Sequence, residues 1–435
     1  MNAHLADCRD LDYHRGYDVS EVLASWLDQQ TSAVLLLDLM LRAEWLDKGA
    51  DLPLTAVYQR DLQGGERGYR VCVVDTGLAV SPDDDGTAVF AAAVATGAAV
   101  YRSGAPIGLA PLSIPKPWGR EIWYTGIEER GVCCFVDEFG GETPIPWLQL
   151  ATAGMLGPAD TPPVLLKILD PLPEPVRGDL YFELHHEKRE VYVVTHVDSG
   201  AWPDGVGAIR YGFSPKRIEA AGGEREFRQQ YLAAVKAYEV VRRSIDALPA
   251  DQSVGAELLD QEHDLREQMN AFTRLRPLRT GDVVKVPLLL PHSLQHGVRT
   301  VEFQTPVYER QIISFAQEVL TQSHWDTEEA VEQMSLIAPA EEALDVVQSG
   351  EGVTIERIVS FEDFKAYRVS LASGARWQPG FESSYGLLMS VAGDVRFGEL
   401  SIAPEQAVFI PAAACHECVV AGDQSAVMLL ATPTG

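Results

Sequence analysis

Two stretches of short apolar runs, separated by proline and glycine, constrain the fold of this 435-residue chain more than any other feature. They cover residues 112–212 and 353–434. Short runs with such breaks are typical of the strands of a β-barrel or a β-sandwich. Between them, residues 214–277 contain two amphipathic runs that are rich in helix-forming side chains. The sequence therefore predicts a mainly β fold with a helical insertion in its first β-rich part.

The length of the chain predicts more than one domain, because a single compact core rarely grows this large. We divide it into an N-terminal α/β region of unknown role at residues 1–105, a first barrel at 106–336 and a second barrel at 337–435. The helical insertion at 214–277 belongs to the first barrel. Residues 19–48 carry apolar side chains at helical spacing, which predicts one or two helices in the N-terminal region.

The charge of the chain limits its partners. A formal net charge of −28 repels nucleic acids and disfavours anionic membrane surfaces, but a local cluster of basic side chains can still bind a small phosphorylated sugar. No apolar run reaches the length that crosses a bilayer, and residues 1–10 lack the pattern of a secretion signal. We expect a cytoplasmic protein, either a monomer or a homodimer, with no nucleic-acid or membrane partner.

The cysteines predict no disulfide framework. A reducing cytoplasm keeps all six as free thiols, and Cys133 and Cys134 lie next to each other in an apolar, strand-like run. Cys415 and Cys418 form a single Cys-x-x-Cys pair, whereas a structural zinc site needs four ligands, usually as two such pairs. We interpret these cysteines as packing side chains, and we expect no metal in the second barrel.

The first concentration of reactive side chains is the segment GDLYFELHHEKREVYVV, residues 178–194. Because side chains alternate between the two faces of a strand, Glu183 and His185 point to the same side. A charged turn follows, and the apolar strand after it begins with Glu190. A hairpin of this kind can return Glu190 to the neighbourhood of His185. Taken alone, Glu183 and His185 also fit the solvent-facing side of an antiparallel strand.

The second concentration is the segment GDVVKVPLLLPHSLQH, residues 281–296. Gly281 provides a turn, an apolar strand follows, and proline limits further strand pairing just before His292. This imidazole, added to the imidazole and the two carboxylates of the first segment, gives a mixed nitrogen and oxygen ligand set. Such a set suits one divalent metal ion, with zinc as the first choice and iron, manganese or nickel as alternatives.

Together the two segments resemble the two cupin motifs. The first motif, His-x-His followed by Glu after four or five residues, reads Glu183-x-His185 and Glu190 here. The second motif, with its Gly, its Pro six residues on and a His five beyond the Pro, runs from Gly281 to His292. The resemblance implies two cupin barrels (double-stranded β-helices, or jelly rolls) in tandem, the first of which holds the metal.

Within the cupins, the chain resembles the class I mannose-6-phosphate isomerases. The similarity rests on KPWG at 116–119, PVLLKILD at 163–170, the helical insertion before the second motif, and VEFQ at 301–304. One departure is the first ligand, which is glutamate here where those isomerases have glutamine. The site residues that the resemblance implies are the metal ligands Glu183, His185, Glu190 and His292, the catalytic residues Glu302 and Arg310, and the phosphate contacts Lys116 and Lys167.

The activity that the resemblance implies is the interconversion of mannose 6-phosphate and fructose 6-phosphate. This reaction moves a proton between adjacent carbons, for which a metal ion stabilises negative oxygen and Glu302, or another carboxylate next to the metal, transfers the proton. Arg310 would stabilise the developing charge or bind the phosphate. Two alternatives stay open: a metal-dependent cupin oxygenase, which would need iron, and a sugar-binding or regulatory cupin without a reaction.

Overall fold

The computed structural model describes most of the chain, namely residues 10–16, 18–29, 32–46, 48–61, 67–75, 77–78, 83–158, 160–249 and 252–434. Within them the fold is mainly β, as predicted. The described helices are α1 (Val19–Gln29), α2 (Gly86–Val94), α3 (Ile145–Ala151), α4 (Pro215–Ala221), α5 (Glu224–Asp246), α6 (Ala256–Asn270) and α7 (Thr327–Gln333). None of these helices is long and apolar enough to cross a membrane.

The strands are numbered along the chain and are mostly short. They are β1 (Leu11–Arg15), β2 (Val34–Ala43), β3 (Ala50–Arg60), β4 (Tyr69–Val74), β5 (Tyr101–Arg102), β6 (Ile107–Leu109), β7 (Leu112–Lys116), β8 (Gly119–Trp123), β9 (Ile127–Glu128), β10 (Gly131–Val132), β11 (Cys134–Val136), β12 (Glu142–Pro144), β13 (Leu165–Pro171), β14 (Phe182–Leu184), β15 (Glu190–Val197), β16 (Gly207–Phe213), β17 (Thr273–Leu278), β18 (Val283–Val286), β19 (His292–Leu294), β20 (Val298–Gln304), β21 (Gln311–Ser314), β22 (Asp345–Gly350), β23 (Val353–Ser360), β24 (Phe364–Leu371), β25 (Arg376–Trp377), β26 (Tyr385–Ala392), β27 (Val395–Phe397), β28 (Leu400–Ile402), β29 (Ala407–Pro411), β30 (Val419–Ala421) and β31 (Ala426–Pro433).

The chain divides into two compact units, and the predicted motifs lie in the unit formed by residues 113–122 and 167–343. One of its sheets has six strands in the order β18-β15-β20-β13-β8-β7, and the other has five in the order β17-β16-β19-β14-β21. Apolar side chains from both sheets, among them Phe182, Leu294 and Val284, form one hydrophobic core. Two sheets that bury a common face in this way are typical of a jelly roll.

The helical insertion of this unit is confirmed: α4, α5 and α6 follow β16 and precede β17. On α5, buried side chains recur every three or four residues, as in Phe227, Tyr231, Val235 and Tyr238. This spacing places them on one stripe of the helix, which packs into the core of the unit. The rings of Phe227 and Tyr231 both contact Phe213 at the end of β16, so the insertion is anchored to the five-stranded sheet.

The other unit contains the described residues before 113, residues 123–166 and the described residues after 343. Its N-terminal sheet has the order β1-β2-β3-β4-β5. The helices predicted over residues 19–48 are only partly correct, because α1 ends at Gln29 and the run Val34–Ala43 is strand β2. This run pairs with β1 on one side and with β3 on the other, and its side chains from Val34 to Leu39 are buried or half-buried on both faces. A strand buried on both faces shows a continuous apolar run rather than alternation, which makes it resemble a buried helix.

The same unit contains a nine-stranded sheet in the order β12-β11-β6-β29-β26-β31-β24-β23-β22 and a four-stranded sheet in the order β25-β30-β27-β28. Strand β6 joins early and late parts of the chain, because it pairs with β11 on one side and with β29 on the other. The five cysteines in the described part of the chain are free thiols, and Cys8 lies outside the described residues, as do residues 1–9 of the expected signal-free N-terminus.

Candidate metal centre

The two predicted segments meet because each contributes a strand to both sheets of the unit: β14 pairs with β19 in one sheet, and β15 pairs with β18 in the other. Strand β14 carries Glu183, which is paired directly with His292 of β19 in the five-stranded sheet. Leu184, which is fully buried, points to the opposite face of β14. Because side chains alternate along an extended chain, His185 points again to the same side as Glu183. Strand β15 of the six-stranded sheet begins with Glu190. The local alternation of side chains and the pairing of β14 with β19 therefore bring all four predicted ligands together.

The distances between these side chains fit a small cation. One ligand atom each from Glu183, His185 and His292 lie within 4.8 Å of one another. The Oε2 atom of Glu190 lies 3.5 Å from the Nε2 atom of His185 and 3.2 Å from that of His292. A tetrahedral ion with bonds of about 2.0–2.2 Å keeps its ligand atoms roughly 3.3–3.6 Å apart. The four groups could therefore bind one divalent ion with only small adjustments.

Both imidazoles present the same nitrogen to this centre. The Nδ1 atom of His185 lies 3.0 Å from the carbonyl oxygen of Glu309, and that of His292 lies 3.0 Å from the carbonyl oxygen of Leu290. A carbonyl oxygen only accepts hydrogen bonds, so Nδ1 carries the proton and Nε2 keeps its lone pair. Backbone partners of this kind fix the orientation of metal-binding histidines.

Several buried atoms at the centre lie near charged groups but make no hydrogen bond. The Nε2 atoms of His185 and His292 and the Oε2 atom of Glu183 make no hydrogen bond within the described part of the chain. Leaving such atoms unsatisfied is costly, and native proteins rarely do so without a reason. Burial, together with the charge of Lys188, lowers the pKa of His185, which favours the neutral imidazole that a metal requires. Both observations favour a bound cation.

The sequence prediction missed Lys188, which is buried beside the centre. Its Nζ atom lies 2.6 Å from the Oε1 atom of Glu190. Burial alone would raise the pKa of Glu190, but Lys188 and His185 outweigh it and hold that pKa well below its usual range. Lys188 lies in a charged stretch that reads as a solvent-exposed turn. Its separation of two residues from Glu190, which places both on one face of an extended chain, is the signal that could have identified it.

The predicted residues Lys167 and Glu302 lie next to the centre, and Lys116 lies farther along the same sheet. The Nζ atom of Lys167 is 3.3 Å from Glu302 Oε2 and 3.7 Å from Glu121 Oε1, and Lys116 is 3.3 Å from Glu121 Oε2. These residues alternate in charge across the neighbouring strands β7, β8, β13 and β20. Burial raises the pKa of Glu302 well above its usual range, Lys167 opposes this shift, and the nearby carboxylate of Glu190 adds to it. The buried row thus contains a carboxyl group that tends to keep its proton.

Arg310, the last predicted residue, lies at the edge of the centre. Its Nη1 atom is 3.8 Å from Glu183 Oε2, its Nη2 atom donates to the Thr321 hydroxyl at 3.0 Å, and its guanidinium lies over the ring of Tyr181. The preceding residue, Glu309, accepts hydrogen bonds from backbone N–H groups of the turn after His185. The two adjacent residues therefore connect the loop after β20 to the ligand-bearing turn.

Comparison with solved structures finds proteins of similar fold. Mannose 6-phosphate isomerase from Bacillus subtilis superposes with a TM-score of 0.56 at 14% identity, covering 75% of this chain and 99% of that one. A mutant of phosphomannose isomerase from Salmonella typhimurium gives 0.53 at 13% identity, covering 74% and 98%. A zinc-bound mannose 6-phosphate isomerase gives 0.54 at 14% identity, also covering 74% and 98%.

At these identities the likeness shows the fold alone, and the predicted cupin fold is thereby confirmed. No protein-family model matches the chain, and a search of curated proteins finds no match. About three quarters of this chain, and nearly the whole of each of the three solved structures, share the common fold.

Proposed function

We propose that this protein is a metal-dependent aldose–ketose isomerase that interconverts mannose 6-phosphate and fructose 6-phosphate. The observation that carries the proposal is the convergence of Glu183, His185, Glu190 and His292, with both imidazole Nε2 atoms buried beside the Glu190 carboxylate and without a hydrogen bond. Zinc is the first choice of metal, and iron, manganese or nickel are the alternatives. The catalytic domain in this proposal is the first barrel, residues 106–336, in a cytoplasmic monomer or homodimer.

The donor set suits the proposed ion. Two neutral imidazoles and two carboxylates are ligands that zinc and its neighbours accept, and Lys188 and Arg310 compensate part of the carboxylate charge. When bound, a divalent ion supplies a Lewis acid that stabilises negative charge on an oxygen atom.

The remaining steps belong to side chains of the chain itself. Isomerisation moves a proton between two adjacent carbons, which requires a group that can both hold and release one. Glu302 is suited to this role, because its pKa is raised by burial and Lys167 lies 3.3 Å from its Oε2 atom. Arg310 would stabilise negative charge at the edge of the site, and Lys116 and Lys167 would orient the phosphate. Closure of the site by the surrounding barrel would keep water away from the reacting carbons.

A direct test combines metal analysis with a matched pair of variants. The purified protein should contain about one divalent ion per chain and should convert fructose 6-phosphate to mannose 6-phosphate, with activity lost on chelation and restored by zinc. His185→Ala should lose both the ion and the activity. His186→Ala, a change of the adjacent histidine, should keep both, because His186 lies outside the cluster of metal-ligating atoms.

Other outcomes would contradict the proposal in distinct ways. Bound iron together with oxygen consumption would favour a cupin oxygenase. A bound ion without turnover, together with thermal stabilisation by sugars, would favour a binding protein. Equal metal content in the two histidine variants would show that the ion is held elsewhere.

A further inference from the structure

Glu190 is held at both of its carboxylate oxygens by residues two positions away. Side chains two residues apart on an extended chain point to the same face, so Lys188, Glu190 and Tyr192 all face the interior. The Nζ atom of Lys188 lies 2.6 Å from Oε1 of Glu190. The hydroxyl of Tyr192 donates a hydrogen bond of 2.8 Å to Oε2 of Glu190. Each oxygen therefore has its own donor.

The oxygen that accepts from Tyr192 is the one that faces the imidazoles. Oε2 of Glu190 lies 3.5 Å from the Nε2 atom of His185 and 3.2 Å from that of His292. Tyr192 itself is 3% exposed, and the centroid of its ring lies 6.1 Å from that of His292. Its position is fixed by strand β15, where it pairs with Glu302 of β20 and with Val284 of β18. The phenol is therefore a rigid donor directed at a metal-facing atom.

We propose that Tyr192 is a positioning residue that fixes the carboxylate of Glu190 in its metal-binding orientation and so sets the affinity of the centre for a divalent ion. The terminal torsion of a glutamate side chain is broad, so a carboxylate with only one donor can rotate. Hydrogen-bond partners of metal ligands typically change metal affinity by about 10–100-fold when they are removed. This inference rests on the proposed metal centre, but it does not depend on which sugar is the substrate.

The test is the affinity of Tyr192→Phe for zinc, measured by competition with a chromophoric chelator. We expect binding that is about 10–100-fold weaker than in the wild type, still with one ion per chain. The visible absorption of the cobalt-substituted protein should keep its shape, because the number and type of ligands do not change. A zinc affinity within about threefold of the wild type would overturn the inference. A cobalt spectrum that loses a ligand in the variant would overturn it too, since the phenol would then bind the ion itself.

Tyr238→Phe is a matched control. Tyr238 is also buried in the same unit, and its hydroxyl also donates a 2.8 Å hydrogen bond to a glutamate, Glu262, in the helical insertion. Its removal should leave zinc affinity unchanged. Melting temperatures measured in chelator will show that both variants fold, so that a loss of affinity in Tyr192→Phe alone reports on the centre. If the wild type binds neither zinc nor cobalt, the proposed function fails together with the inference; if only the variant comparison fails, the proposed function stands.

Discussion

Replacing Lys167 with methionine tests whether ion pairs stabilise the buried row formed by Lys116, Glu121, Lys167 and Glu302. The Nζ atom of Lys167 lies 3.3 Å from Glu302 Oε2 and 3.7 Å from Glu121 Oε1, and all three side chains are at most 10% exposed. Burial lowers the pKa of Lys167, but the carboxylates of Glu121 and Glu302 outweigh it and raise that pKa, so the lysine is charged at pH 7. Methionine keeps most of the volume and removes the charge.

The expected loss in the free energy of unfolding depends on the carboxylates that stay buried after Lys167 is replaced. Removing one partner of a buried ion pair costs about 3–5 kcal/mol, because the other charge stays buried without compensation. Glu121 keeps Lys116 at 3.3 Å, and Glu302, whose pKa burial already raises, can take up a proton when Lys167 is gone. We therefore expect the lower end of the range, about 3 kcal/mol. For a unit of this size that corresponds to a fall in melting temperature of roughly 6–12 °C.

The assay is urea unfolding of the chelator-treated protein at pH 7, with Lys236→Met as the matched control. Lys236 on α5 also lies 3.3 Å from two carboxylates, those of Glu239 and Glu328, but its side chain is 40% exposed. Exposed pairs contribute about 0–1 kcal/mol, so this variant should hardly change the free energy of unfolding. Equal losses in the two variants would refute the argument from burial.

Three further changes have defined outcomes. Burial raises the pKa of Asp170, but hydrogen bonds from Arg299 and Arg120 outweigh it and lower that pKa. Asp170→Asn should therefore cost about 2 kcal/mol at pH 7. In urea titrations this difference should shrink as the pH falls below about 4, the ordinary pKa of an aspartate, because Asp170 then takes up a proton. Glu183→Gln keeps an oxygen ligand but removes a negative charge, so zinc affinity in chelator competition should fall about tenfold. A Cβ at Gly178 would lie 1.9 Å from a backbone oxygen, so Gly178→Ala should lower the melting temperature markedly.

The convergence of Glu183, His185, Glu190 and His292 could be predicted because much of the information for it is local. Strand alternation places Glu183 and His185 on one face, and the spacing of the second segment places His292 at the start of a strand. The role of Lys188 has a weaker local signal, because its two-residue separation from Glu190 places both on one face only where the chain is extended. Whether a lysine in a charged turn faces solvent or the interior depends on how β15 pairs with β18 and β20, and the sequence of the turn does not encode that register.

The fold likewise has features that the local sequence predicts and features that depend on distant strand pairing. The helical insertion was predictable, since the apolar stripe of α5 repeats within one segment. The run Val34–Ala43 was predicted as helix, because its leucines favour a helix and no alternation is visible. Its strand conformation is decided by ten residue pairs with β3 and by β1 on the other side. Similarly, the pairing of β6 with β29 joins residues about three hundred positions apart. Contacts at such separations are a property of the whole fold.

The charges around the centre relate the metal to the proposed substrate. Among the described residues, these ion pairs join the cations Lys116, Lys167, Lys188 and Arg310 to the carboxylates Glu121, Glu183, Glu190 and Glu302. With both imidazoles neutral, these charges cancel when Glu302 is ionised and sum to +1 when it keeps its proton. A divalent ion would make the network more positive in either state, and a phosphate group with about −1.5 to −2 charges at pH 7 would offset most of that added charge, which a neutral sugar cannot do. Fructose 6-phosphate should therefore raise the melting temperature of the zinc-loaded protein, whereas fructose, or the phosphate ester after chelation, should shift it little. Equal shifts with and without zinc would show that the charge of the centre plays no part in binding.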